Sequence, residues 1–224
     1  MGCVSSTATV PLDDIVISIF GIDNAGKTCF LRSLAGDFNF DSVPTIGLGQ
    51  ETFMYDDIQL TVYDLGGNSK FRSVWQRFYA EIWGYIYLVD ASDSDRFQES
   101  MATLQEMQNH KMLKGKPFIV VANKQDLPGA KTAADIKQIF QLPKKIQVVD
   151  AVVTSVDLNE KKCNPGVSTA VSSLIADIIK NFKDISKQRS TDLAEQQRIE
   201  EQEKAEKKAR LERARAQAGS QQEL

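Results

Sequence analysis

"GIDNAGKT", residues 21–28, fits the pattern G-x-x-x-x-G-K-[ST] and lies between a β-rich run and a helix-forming one. In that setting a glycine-rich turn turns its backbone N–H groups toward phosphate oxygens, and the helix that follows adds a dipole of the right sign. Asp23, Asn24, Ala25, Gly26, Lys27, Thr28 and Cys29 are therefore the candidate phosphate-binding set. The Lys27 ammonium can reach β- and γ-phosphates, and the Thr28 hydroxyl can ligate Mg²⁺. An eight-residue match also arises by chance or as a structural glycine turn, so its weight depends on what accompanies it.

Two companions follow in order, each directly after a β-rich run, where a doubly wound sheet places its ligands. "DLGG" (64–67) offers Asp64 as a Mg²⁺ ligand through water and the Gly67 N–H for a γ-phosphate. "NKQD" (123–126) offers Asn123 and Lys124 as loop residues, and an Asp126 carboxylate that can accept two N–H bonds from the edge of guanine. Adenine lacks those donors, so the expected ligand is GTP or GDP rather than ATP. Three such signals in this order outweigh the reading of each as an ordinary turn.

The frame around them is α/β. "IVISIFG" (15–21), "ETFMY" (51–55), "IQLTVYD" (58–64), "YIYLVD" (85–90), "FIVVAN" (118–123) and "IQVVDAV" (146–152) have strand composition. Helical periods at about 27–35, 75–82, 95–110, 132–140 and 167–182 alternate with them. Only "DD" separates the second and third strands, which makes that pair an antiparallel hairpin. The expected fold is a P-loop nucleotide-binding domain: a mostly parallel six-stranded sheet flanked by helices over 15–182, with a lead segment at 1–14.

After Phe182 the sequence turns to Ala, Glu, Lys, Arg and Gln, so a charged helical tail is expected over 183–224. Leu193, Ile199 and Leu211 do not keep one heptad seam, which favours a solvated single helix over self-association as a coiled coil. The chain is 42% hydrophobic and 25% charged, with 27 Lys and Arg against 30 Asp and Glu. A net charge of -3 gives no footprint of a nucleic-acid partner. The three cysteines show neither disulfide nor zinc spacing and are read as reduced. No apolar run nears the ~20 residues of a membrane span, and no secretory signal is seen, so the expected location is cytosolic.

With these motifs in place, the chain resembles the ADP-ribosylation factor and factor-like family of small GTPases over residues 15–182. "PTIGLGQETF" (44–53) resembles the first switch of that family, which implies Thr45 as a Mg²⁺ ligand that senses the γ-phosphate. "VTSV" (153–156) resembles its last guanine-contacting loop: Ser155 matches and Val156 departs. Leu48, Tyr63 and Phe78 fall where the family has a partner-recognition cluster, with core packing as the competing reading, and the two strands between the switches would slide in register with the nucleotide. "VWQRFYAEIWGYIYLVDASD" (74–93), "KGKPFIVVANKQDLPGA" (114–130) and the charged tail together resemble the ciliary branch of the family. That likeness implies membrane attachment in a cilium or flagellum, and exchange-factor activity toward another factor-like GTPase.

Asn68 stands where active members of the family carry a glutamine that orients the attacking water. Its amide sits on a stem one methylene shorter, a loss of reach of roughly 1 to 1.5 Å that can cost ~100-fold in rate. The candidate catalytic set is thus Lys27, Thr45 and Asn68, with slow intrinsic hydrolysis expected; a partner's arginine could still complete it.

"MGCVSS" matches the myristoylation pattern M-G-x-x-x-[ST], and Cys3 beside Gly2 could carry palmitate. Two chains anchor stably where one does not. "STATVPLDD" (6–14) is too short and too acidic for a membrane helix, so this attachment would not depend on the nucleotide. The rival to a switch is a non-hydrolysing GTP-bound scaffold that binds partners through its tail.

Overall fold

The computed structural model describes residues 14–40, 45, 47–154, 156–157 and 162–220. The expectations for Gly2, Cys3 and Ser155 fall outside these residues.

Strand β1 (Ile15–Phe20) is buried at every residue, as an apolar run without alternation requires of a strand covered on both faces. It is flanked by β3 (Ile58–Leu65) and β4 (Gly84–Asp90), both parallel to it. The sheet runs β2-β3-β1-β4-β5-β6, with β2 (Leu48–Tyr55), β5 (Phe118–Asn123) and β6 (Val148–Asp150) completing it. Within this sheet only the β2–β3 pair is antiparallel, joined by the two-residue turn at Asp56 and Asp57. Strand β2 begins three residues before the stretch its composition marks, because Leu48 and Gly49 pair with Leu65 and Asp64. Strand β6 is shorter than its apolar run, and a two-rung hairpin of β7 (Val156–Asp157) and β8 (Lys162–Cys163) follows it.

Helices α1 (Lys27–Ala35), α3 (Phe97–Asn109), α4 (Ala133–Ile139) and α5 (Pro165–Lys180) fall near their expected places. Helix α4 starts with a reciprocal Thr132/Asp135 capping box, and α5 with Asn164 as cap and Pro165 in its first turn. The expected helix at 75–82 is instead α2 (Arg72–Trp75) followed by a 3₁₀ turn over Gln76–Phe78. Helix α5 lays Val167, Ala170, Val171, Leu174 and Ile178 against β4 and β5, a stripe at three-and-four spacing.

Helix α6 (Phe182–Ser220) departs from the solvated helix its charge pattern implies. Its first four turns dock on the domain. Ile185 is 2% exposed, and Phe182 stacks on Trp83 with ring centroids 4.8 Å apart. The Arg189 guanidinium lies 4.2 Å from the same indole, so Trp83 is held by an aromatic ring and a cation. Lys111 and Glu195 form an ion pair further along. Beyond Gln196 the helix leaves the domain, and residues 197–210 are exposed. Burial of a full aliphatic side chain predicts that Ile185→Ala lowers the unfolding free energy by about 2 to 5 kcal/mol. Ile199→Ala, at 38% exposure, should change it by under about 0.5 kcal/mol. Equal, small effects in a denaturant titration would detach the helix from the core.

Candidate functional site

The loop after β1 reverses the chain through Asn24 and Gly26, both left-handed at φ 63° and 95°. Gly26 precedes α1 as its N-cap and has no side chain with which to cap the helix, and a helix N-terminus is where backbone N–H groups can meet an anion. A Cβ at Gly26 would lie 2.4 Å from Asn123 Nδ2, and one at Gly67 would lie 2.4 Å from Lys27 Nζ. Both positions therefore need glycine so that neighbouring polar groups can close on the loop.

Lys27 is buried, with Nζ donating to the Ile22 carbonyl at 2.9 Å. Burial pushes its pKa down to about 8, against the pull of Asp64 and Asp23. Beside it, Thr28 Oγ1 donates to Asp64 Oδ2 at 2.6 Å, and Thr45 Oγ1 donates to the same oxygen at 3.1 Å. The two hydroxyls are 2.9 Å apart. Asp64 Oδ1 is buried without a hydrogen-bond partner. Two hydroxyls, a carboxylate and an unpaired buried oxygen form a hard-oxygen donor set that fits Mg²⁺, which takes few protein ligands and leaves places for phosphate and water.

The switch segments are pinned to each other and to the body. The Gly66 N–H donates to the Gly47 carbonyl at 3.0 Å, Trp75 Nε1 to the Gly66 carbonyl at 3.0 Å, and Arg72 Nε to the Gly67 carbonyl at 2.8 Å. Arg72 also pairs with Glu99, while Arg96 reaches both Glu99 and Asp23. The hydrogen bond from Arg96 holds the Asp23 carboxyl below its ordinary range, and that from Arg72 does the same for Glu99. These four side chains tie the phosphate loop to the segment after Gly67.

At the far end, Asn123 donates to the Ala25 carbonyl at 2.9 Å and accepts from the Val153 N–H at 3.1 Å. Lys124 pairs with Asp90 at 2.7 Å. The resulting cleft holds about 460 Å³, within the range of small-molecule sites.

Of the expected residues, Asp23, Asn24, Gly26, Lys27, Thr28, Cys29, Thr45, Gly67, Asn68, Asn123, Lys124 and Asp126 line this cleft. Ala25 and Asp64 are buried behind its wall and act through the bonds just given. Val156 begins β7. Val153, Thr154 and Leu127 also line the cleft. Sequence reasoning missed these three, along with Arg72, Arg96 and Glu99. The loop after β6 was the available signal for Val153 and Thr154. Leu48 is 42% exposed, whereas Tyr63 and Phe78 are half-buried and meet edge to face at 5.4 Å. His110 lies outside the cleft, its ring against Tyr79, and burial lowers its pKa.

A phosphate loop, a hard-oxygen cluster and an Asn-Lys-x-Asp base loop at the carboxyl ends of one sheet define a guanine-nucleotide-binding P-loop domain. The chain belongs to the ADP-ribosylation factor family, whose sequence profile matches residues 6–178. It is 41% identical over 122 residues to ADP-ribosylation factor-like protein 13B of Chlamydomonas reinhardtii. That match covers 54% of this chain and 23% of the relative, so the chain corresponds to a minor part of that longer protein. The solved structure of the Arl6 (BBS3) small GTPase from Trypanosoma brucei, with bound nucleotide analogue GppNp, superposes with a TM-score of 0.63 at 29% identity. It covers 75% of this chain and 98% of the other.

Because the Lys27 pKa is depressed by burial, a bound polyphosphate should raise it again. Between the two values, binding takes up a proton, so affinity falls as pH rises. Titration of GDP should show weakening above about pH 8, approaching roughly tenfold per pH unit. Affinity that stays flat through that range would mean Lys27 remains charged without ligand.

Proposed function

We propose that this chain is a membrane-attached GTP switch with slow intrinsic hydrolysis, acting in ciliary protein traffic and, in its GTP state, as an exchange factor for another factor-like GTPase. The observation that carries the switch is the closure of Thr45 onto Thr28 and Asp64. A residue of the first switch there completes a site that would hold Mg²⁺ and a γ-phosphate, so loss of that phosphate releases it. When bound, Mg²⁺ would draw charge from the β- and γ-phosphates. Lys27 and the N–H groups of residues 23–29 would hold the phosphates, Gly67 the γ-phosphate, and Asp126 the guanine edge. Strands β2 and β3 would slide with the nucleotide.

Slow hydrolysis has support beyond stem length. Asn68 Oδ1 accepts the Lys70 N–H at 3.1 Å, so the amide oxygen is engaged by its own turn. Single-turnover hydrolysis should therefore be slow in the wild type and rise by up to ~100-fold in Asn68→Gln. Equal, ordinary rates in both would show that Asn68 positions water well enough and would end this reading.

Membrane attachment would come from acyl chains at Gly2 and Cys3. No helix among the described residues is long and apolar enough to cross a bilayer. The ciliary and exchange-factor parts rest on the likeness to the ciliary branch. The exposed helix beyond Gln196 favours a second reading, a scaffold that binds partners through its tail or self-associates there. Capture of a factor-like GTPase should be strong with the GppNHp-loaded chain and weak with the GDP-loaded one. Equal capture in both states would favour the scaffold.

A further inference from the structure

The segment from Gly66 to Trp83 is short of backbone partners at its C-terminal end. Helix α2 and its 3₁₀ turn stop at Phe78, and such an end leaves carbonyls without intrahelical donors. Here the donors come from far along the chain. Gln196 Nε2 donates to the Arg77 carbonyl at 3.0 Å, and Arg189 Nε to the Glu81 carbonyl at 2.8 Å. Lys116 Nζ donates to the Tyr79 carbonyl and, at 3.4 Å, to that of Ala80. Lys116 is itself buried and lies 3.7 Å from Asp192 of α6. Four carbonyls are thus capped by two side chains of α6 and by a lysine that α6 pairs. Two of the donors are cations, the charge that suits the negative end of a helix.

The other end of the same segment carries Gly66 and Gly67, whose carbonyls are fixed by Trp75 and Arg72 from within it. The segment therefore runs as one hydrogen-bonded unit from the γ-phosphate position to the tail. Its remaining side link points the same way: Glu81, whose carbonyl takes Arg189, also accepts the Tyr63 hydroxyl of β3 through Oε2 at 2.9 Å. Strand β3 is half of the hairpin between the two switches.

We propose that the docked part of α6 is the C-terminal cap of the second switch, the Gly66–Trp83 segment, and that its docking favours the closed arrangement in which Thr45 meets Thr28 and Asp64. Tail docking and γ-phosphate binding then support each other, and by linkage the effect is equal in both directions. A partner that draws α6 away would weaken GTP relative to GDP. This rests on the switch reading above.

The test compares the full chain with Arg189→Ala and Gln196→Ala, each loaded with GDP or GppNHp. Hydrogen exchange over 182–196 should be slower in the wild type with the analogue than with GDP. Each variant should weaken the analogue relative to GDP, by about five- to tenfold for Arg189→Ala and less for Gln196→Ala. Gln196 is only half-buried and its bond is a single one at the edge of the docked face, so its variant reports even if Arg189→Ala does not fold. If exchange over 182–196 quickens in the variants while the affinity ratio stays put, the cap does not set the switch and the proposal is overturned, with the switch reading intact. If wild-type amides over 47–80 exchange alike with both nucleotides, the switch reading fails and the coupling falls with it.

Discussion

Asn123 is the constraint on which the site depends. It is almost fully buried at the end of β5, and its amide does two things at once: the nitrogen bonds the phosphate loop at Ala25, and the oxygen bonds the loop after β6 at Val153. The nitrogen occupies the space that a Cβ on Gly26 would need. A glycine on one strand's loop and an amide on another's thus define each other, and their packing sets the distance between the phosphate and base ends of the cleft. An aspartate there would lose the donor to Ala25, and an alanine would leave two buried backbone groups unsatisfied, at a cost of about 1 to 3 kcal/mol each.

The charged groups divide into two kinds. Asp23, Arg72, Arg96 and Glu99 are partly exposed, and pairs of that sort contribute little one by one. Their value lies in geometry, because one network holds the phosphate loop and the Gly67 carbonyl in a fixed relation. Lys116 is the opposite case. Burial pushes its pKa down to about 8 and pushes that of Asp192 up, so neither charge is comfortable. A buried pair of this kind is poor evidence of net stabilisation. What it supplies is donors to the Tyr79 and Ala80 carbonyls, which an apolar residue of the same size could not give.

Legibility in the sequence followed the range of the physics. The stretches 21–28, 64–67 and 123–126 act mainly through their own backbone and neighbouring side chains, so contiguous letters declared them, and the six strands and the hairpin followed from composition and one short turn. Arg72 and Arg96 act through partners on other loops and helices, and nothing local marks them, whereas Val153 and Thr154 are marked only by their place in the loop after β6. The extension of β2 to Leu48 comes from pairing with β3, against the weak strand propensity of Gly49. The docking of α6 was hidden by its own side chains. Heptad spacing turns on Leu193, Ile199 and Leu211, of which Leu193 packs on the core; the face that meets the domain also carries Phe182, Ile185, Arg189, Asp192 and Gln196. On that face the Arg189 guanidinium lies over Trp83 while Arg189 and Gln196 find carbonyls.

On the proposed reading of slow hydrolysis, the lifetime of the closed state is set by something other than the chemistry, and the structure offers a place for that control. Asn68 is turned back onto Lys70, so closure of the loop does not by itself deliver the amide to a water. The stability of the closed state then governs how long a partner sees it. That stability is spread along one segment, from the carbonyl fixed at Gly67 to those fixed by α6 at Arg77 and Glu81, 10 and 14 residues later. A change of about 1 to 3 kcal/mol at the tail end is enough to move such an equilibrium 5- to 150-fold. Two or three hydrogen bonds from charged or amide donors are of that size. Control from the tail therefore asks no more of α6 than the contacts it already makes, and it leaves the nucleotide cleft itself free for any helper that completes the reaction.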